Sequence, residues 1–231
     1  TDLPAFYERE GGSTVSCTIN QYVYVTVKKL SPFFGNCYRL SYSETENVFD
    51  IDDIRNSIIR ECLRLVPVEP PLYISVIADI PFSSGLGASS SFAVSLLMAL
   101  HRMRGERVPR AQLAEEASTV EIEMLERPAG KQDQYAAAFG GLNHFSFQAN
   151  GRVLVEAQHV PNLDMPDLFD SILMFWTGLS RDAGKILAAQ NERTELNLDR
   201  LRSIRGQADS LREMTFDGID KQKFGEMLNK G

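Results

Sequence analysis

The sequence has 231 residues, 43% of them hydrophobic and 24% charged, and a formal net charge of −7. That is the composition of an ordinary globular protein able to bury a core in one large domain or one and a half smaller ones. The acidic balance argues against a general nucleic-acid or anionic-membrane binder, and no apolar run reaches the ~18 residues of a membrane span.

Residues 4–10 predict a short helix, capped by Thr1 or Asp2 and closed by Gly11 and Gly12. Strand-like sequence follows, with Val15, Cys17 and Ile19, then Tyr22, Val23, Tyr24, Val25 and Val27. Residues 31–35 read as a turn and 38–42 as a short strand. Residues 52–66 read as a helix with Ile54, Ile58, Ile59, Leu63 and Val66 on one face. Pro67, Pro70 and Pro71 stop that helix, and residues 72–80 form a strand whose ladder ends at Pro81. Cys17, Cys37 and Cys62 are odd in number and widely spaced, which fits reduced thiols in a cytoplasmic protein. No secretory signal pattern opens the chain. His101, His144 and His159 are too scattered to suggest a transition-metal site.

The stretch Pro81, Ser84, Gly85, Leu86, Gly87, Ala88, Ser89, Ser90 leads into a helix over 88–103, with Phe92, Leu96, Leu97 and Leu100 at helical spacing. Gly85 and Gly87 can take φ > 0 and admit an anion close to the main chain, where the N–H groups and dipole of the helix start favour phosphate. The serine hydroxyls can bond phosphate oxygens or magnesium. A tight strand-to-helix turn with serine caps is the plainer alternative.

Residues 109–125 predict one helix with Leu113, Ala117, Val120 and Met124 inward. It carries Glu121 and Glu123, which two-residue spacing points in different directions, so that they cannot both address one ion. A turn at 128–130 precedes a helix over 132–139, where Asp133 is an N-terminal charge. Strands at 143–147 and 152–155 join at Asn150-Gly151, and 161–166 reads as a linker. Residues 171–177 predict a buried strand with Trp176 in the core, followed by helices over 182–195, 196–214 and 220–228. The whole is an α+β pattern without internal repeats.

The string from Pro81 to Ser90 resembles Pro-x-x-x-Gly-Leu-Gly-Ser-Ser, the second signature motif of the GHMP kinases, with Ala88 where the first serine usually stands. The resemblance puts Ser89 on the family's magnesium-coordinating serine. Gly130 to Gln134 is similar to the Gly-x-x-Asp-Gln segment of the sugar-specific members, whose aspartate takes the substrate hydroxyl proton; here it is Asp133. Twelve positions earlier, Glu121 stands where galactokinase-like members place a glutamate that helps hold magnesium, so it is preferred over Glu123. Thr1-Asp2 resembles the Thr-Asp pair whose aspartate bonds sugar hydroxyls. Arg181, at the end of a Thr-Gly-x-x-Arg turn, becomes a candidate for an anionic substrate group or else a surface arginine. Lys131 either steadies Asp133, touches a phosphate, or is exposed and idle.

The resemblance implies a GHMP kinase fold: a domain like the second domain of ribosomal protein S5 over 1–165, then the front part of a ferredoxin-like domain over 166–231. It implies ATP and Mg2+ as cofactors, the loop from Pro81 to Ser90 as phosphate cradle, and Ser89 with Glu121 as metal ligands. The acceptor would be a small-molecule sugar phosphate, phosphorylated at its anomeric hydroxyl. The longer run from Gly130 to Gly141 is most similar to bacterial heptose-phosphate kinases, which implies a heptose 7-phosphate. Alternatives are a fucokinase- or galactokinase-like sugar kinase, a kinase of a non-sugar alcohol, or a non-catalytic sugar and nucleotide sensor. Neither nucleic acid nor membrane is an expected partner. A complete member would begin before Thr1 and continue past Gly231 to a third glycine-rich motif.

Overall fold

The structure is a computed structural model that describes residues 1–35, 37–82, 84–159, 164–175 and 194–230. Its helices are α1 Pro4–Glu10, α2 Ser57–Leu65, α3 Ala88–Met103, α4 Arg110–Ser118, α5 Gln132–Phe139, α6 Asp164–Asp170, α7 Leu198–Asp217 and α8 Lys221–Lys230. The strands are β1 Gly12–Cys17, β2 Val23–Lys29, β3 Tyr38–Ser41, β4 Thr45–Val48, β5 Leu72–Ala78, β6 Leu142–Phe147 and β7 Val153–Ala157. The architecture is α+β, and its contacts divide the chain into two units, Thr1–Thr18 with Gly140–Gly231, and Ile19–Phe139.

The unit Ile19–Phe139 is built on a four-stranded sheet ordered β2-β5-β3-β4. β5 pairs antiparallel with β2, Val76 opposite Val25, and parallel with β3, Ile74 opposite Leu40. A parallel pair needs a crossover, and here β4 and α2 supply it. Alternation along β5 sends Leu72, Ile74 and Val76 to one face, where they meet Ile58, Ile59 and Leu63 of α2 and Phe92, Leu96, Leu97 and Leu100 of α3 in one buried cluster. The helix-period and strand-period apolar residues therefore share one core, and α3 is anchored along its length while its first turn stays at the edge.

Helix α2 starts later than its apolar spacing suggests because Asn56 caps it, its Oδ1 accepting the Ile59 N–H at 3.1 Å. Residues 51–53 form a separate 3₁₀ turn capped by Asp50. Strand β4 has no clear signal in the sequence. Its central Glu46 is buried, accepting bonds from the Tyr42 hydroxyl at 2.6 Å and the Arg55 N–H at 2.8 Å, which a strand pattern would assign to solvent.

The other unit carries a three-stranded antiparallel sheet ordered β1-β6-β7, with Thr14 opposite Phe145 and Phe145 opposite Val155. Leu3 and Phe6 pack with Leu201, and Tyr7 stacks on Phe147 at 5.7 Å. The cap of α1 is Leu3, with no side-chain hydrogen bond, so neither Thr1 nor Asp2 acts as the expected cap. Gly12 is required by space, since a Cβ there would fall 2.0 Å from the Thr1 carbonyl oxygen. Arg212 closes α7 onto β7 through a bidentate pair with Glu156 at 2.7 and 3.0 Å.

Residues 164–170 are helical where a linker was expected. Residues 171–175 are in no strand, and Leu173, Met174 and Phe175 are 79%, 72% and 80% exposed. An apolar run becomes a strand only where another strand completes its ladder, and among the described residues none does. Trp176, Arg181 and positions 182–193 of the helix expected over 182–195 lie outside the described residues, and Glu195 begins a 3₁₀ turn, Glu195–Asn197. Cys17, Cys37 and Cys62 are free thiols, and no helix among the described residues is long and apolar enough to cross a membrane.

His101 ties the end of α3 to α4 and to the turn between them. It is 6% exposed, with Nδ1 2.6 Å from Glu106 Oε2 and Nε2 2.8 Å from Glu116 Oε2 of α4. Burial alone would lower its pKa, but the two carboxylates outweigh burial and raise it above the ordinary 6.5. A folded-state pKa raised above the unfolded one adds stability that is complete below 6.5 and disappears as pH rises through the raised value. Thermal unfolding followed from about pH 6 to about pH 9 should show this decline in the native protein and a flatter profile in His101→Gln. Parallel profiles would mean that the imidazole is not charged in the fold.

Candidate functional site

The loop between β5 and α3 takes the conformation its glycines allow. Gly85 and Gly87 have φ of 78° and 70°, in the left-handed region. Gly87 is the N-cap of α3, and it has no side chain to occupy the first N–H groups of this 16-residue helix. The serine-capped turn is therefore not what forms. Ala88 is buried where a serine is usual, Pro81 and Leu86 are exposed, and the buried Ser84 hydroxyl has no hydrogen-bond partner among the described residues.

Helix α4 does not continue regularly to residue 125. From Thr119 to Met124 the chain winds as a π-helix, with the Leu125 N–H bonded to Val120 O at 3.0 Å. The extra residue in the turn re-aims the side chains after it, a device common at functional sites. Glu121 turns inward, 3% exposed, and Glu123 faces solvent.

Glu121 is bonded on both oxygens. Oε1 accepts from Ser89 Oγ at 2.5 Å and Arg127 Nη1 at 2.6 Å; Oε2 accepts from Ser90 Oγ at 2.6 Å and Gln134 Nε2 at 2.8 Å. Arg127 Nη1 also donates to Ser89 Oγ at 2.7 Å. A carboxylate this buried is tolerated because every acceptor direction is used and one donor is a cation. The pairing of Ser89 with Glu121 expected from motif spacing is thus a direct contact. Ser90 and Gln134 lie inside the motifs, but their bonds to Glu121 are not legible there. Arg127 lies in neither motif and carries no sequence signal beyond following Glu121 by six positions.

Asp133 sits in the first turn of α5 with an exposed side chain. Its Cγ would lie 3.7 Å from a Cβ built on Gly87, so the carboxylate faces the phosphate-type loop at the start of α3. Lys131 is not idle: its Nζ donates to Glu115 Oε2 of α4 at 2.7 Å, and the Tyr135 hydroxyl donates to the other oxygen of Glu115. Burial, reinforced by Glu115, pushes the Tyr135 pKa up. Thr1 lies beside β1, its Oγ1 accepting the Ser13 N–H at 3.3 Å, and Asp2 is half-buried ahead of α1. Both belong to the Thr1–Thr18 segment of the other unit.

Among the described residues, no group of three or more His, Cys, Asp or Glu side chains is placed to hold a metal. The donor set that does converge, Ser89 Oγ and a Glu121 carboxylate oxygen, is hard oxygen. That suits magnesium, which takes one or two carboxylates and completes its shell with water and substrate phosphates. A cation already sits on both atoms, the Arg127 guanidinium, so the oxygens are aimed to share positive charge. Arg127 also lines a cavity of about 370 Å³ with Tyr42, Arg55, Asn56 and Ser57.

Residues 55–141 match the family model of the GHMP kinases N terminal domain. The chain is 27% identical over 227 residues to the D-glycero-alpha-D-manno-heptose 7-phosphate kinase of Campylobacter jejuni, a match covering 94% of this chain and 67% of that one. Its fold resembles that of a D-glycero-D-manno-heptose 1-phosphate kinase from Bacteriodes thetaiotaomicron, with a TM-score of 0.70 and 24% identity over 89% of this chain and 70% of the other. It also resembles the Streptococcus pneumoniae phosphomevalonate kinase in complex with phosphomevalonate and AMPPNP. There the TM-score is 0.76 and the identity 15%, over 100% of this chain and 74% of that one.

The two glutamates of the π-turn predict a sharp contrast in stability. Glu121→Ala strands the buried donors of Ser90 and Gln134 and should cost about 1–3 kcal/mol, whereas exposed Glu123→Ala should stay within about 0.5 kcal/mol of the native protein. Urea unfolding midpoints test this, and equal effects at the two positions would contradict the assignment.

Proposed function

Since residues 55–141 match the GHMP kinases N terminal domain, we propose that the protein is an ATP-dependent kinase that phosphorylates a sugar phosphate at its anomeric hydroxyl. The acceptor we infer is D-glycero-D-manno-heptose 7-phosphate, giving the 1,7-bisphosphate. One observation carries the reading: at the first turn of α3, a left-handed glycine loop, the partly buried Ser89–Glu121 pair and the exposed Asp133 carboxylate come together.

In this reading the loop from Pro81 to Ser90 takes the nucleotide phosphates. The helix start contributes N–H groups and dipole, and Ser84 a hydroxyl with no other partner among the described residues. Asp133 accepts the proton of the acceptor hydroxyl as its oxygen bonds to the γ-phosphorus and the bond to ADP breaks. Ser89 and Glu121 would hold Mg2+, which would supply charge neutralisation on the phosphates. Phosphoryl transfer depends mainly on positioning and charge neutralisation, so a loop, an ion and one base are a sufficient set. Lys131, bonded to Glu115, helps fix the segment that carries Asp133. Thr1, Asp2 and Arg181 are the proposed substrate contacts, and the division into a domain over 1–165 and the start of a second over 166–231 belongs to the same proposal.

Asp133→Asn should lower kcat by about two to four orders of magnitude while nucleotide affinity is retained, since general-base catalysis typically supplies that much. A variant that keeps most of its kcat would leave Asp133 as a helix-end charge.

The acceptor is tested by kcat/KM for the heptose 7-phosphate against unphosphorylated heptose, mannose and fucose, read as ADP release by the full-length protein. The phosphorylated sugar should be preferred. A neutral sugar ahead of it would leave the kinase reading standing and remove the heptose phosphate. No ADP release with any acceptor, with ATP still bound, would favour a sensor.

A further inference from the structure

Arg127 holds the place that the proposed metal would need. Its Nη1 lies 2.6 Å from Glu121 Oε1 and 2.7 Å from Ser89 Oγ, two oxygens themselves 2.5 Å apart. A divalent cation and a guanidinium nitrogen cannot both sit on that pair, because their contact distances overlap and their charges repel. The arginine is also built to leave. Both of its side-chain hydrogen bonds run through one nitrogen, its side chain is 38% exposed, and it borders the cavity that Arg55 also lines. Glu121 would keep Ser90 and Gln134 on its other oxygen during the exchange, so the carboxylate would not need to move.

We propose that Arg127 is an exchangeable counter-ion, bonded to Ser89 and Glu121 when the metal is away and displaced into the adjacent cavity when the metal arrives. The proposal deepens the kinase reading and rests on its assignment of Ser89 and Glu121 as metal ligands. It has a consequence for order of binding. A metal competing with a resident cation binds the nucleotide-free protein weakly, and a metal that arrives with phosphates attached brings acceptors for the displaced guanidinium, which arginine's planar fork suits.

The test is Mn2+ binding to the full-length, nucleotide-free protein, measured by electron paramagnetic resonance of free Mn2+ and requiring no turnover. Arg127→Gln should bind Mn2+ about tenfold or more tighter than the native protein, since charge-assisted hydrogen bonds to the competitor are lost. Arg55→Gln, which changes net charge equally and borders the same cavity without touching the oxygens, should stay near the native affinity. If Arg127→Gln does not fold by circular dichroism, Arg127→Lys carries the test and should tighten binding by a smaller factor. Unchanged or weaker Mn2+ binding in the folded Arg127 variant overturns the inference, as does equal tightening in Arg55→Gln. Glu121→Gln and Ser89→Ala separate the two levels. If they abolish Mn2+ binding, the metal assignment stands and only the exchange is at stake. If they leave it unchanged, or if no variant binds Mn2+, the metal assignment falls and the exchange with it.

Discussion

A single buried carboxylate organises the Ile19–Phe139 unit at the end that carries the glycine loop. Glu121 is buried, and the four donors that satisfy its carboxyl group come from the first turn of α3, from Arg127 beyond the π-turn, and from α5. The first turn of α3 is distant in the chain from the other two. The need to satisfy one charge therefore fixes how the glycine loop, the π-turn and the helix carrying Asp133 sit together.

The rest of the unit supplies rigidity behind that joint. Helix α3 is buried through Phe92, Leu96, Leu97 and Leu100 against β5 and α2, while its N-cap, Gly87, makes no side-chain cap hydrogen bond. The helix start is the natural place for such a group, because its N–H groups are unpaired and its dipole is positive. The apolar stripe and the polar end are two properties of one helix, which is why core packing and site geometry are coupled here. His101, at the far end of the same helix, ties it to Glu116 of α4, which runs on into the π-turn bearing Glu121.

The structure also changes the meaning of charges that look alike in sequence. Lys131 neighbours Asp133 in the chain and bonds to Glu115 of α4, and Glu123 shares a turn with Glu121 but faces water. Arg127, in neither motif, holds the most consequential position of the three. Sequence distance says little about such pairings, because a long side chain reaches whichever partner burial leaves unsatisfied.

Local chemistry was legible from sequence wherever it acts over a few residues. The helix over 88–103, the helix over 132–139 and the glycine loop between β5 and α3 follow from apolar spacing, proline and glycine alone, and they appear as those residues imply. The Ser89–Glu121 contact was legible only through resemblance, since nothing within either segment points to the other. What tertiary structure decided was each feature that answers to a distant partner. Strand β4 exists because β3 completes its ladder; residues 171–175 are exposed, and among the described residues no strand pairs with them. The π-turn forms where Glu121 faces Ser89, and Arg127 pairs with that buried carboxylate from six positions on. A periodic pattern records which face of an element is apolar. Which buried charge must be neutralised, and by which residue, is settled only when the elements are packed together.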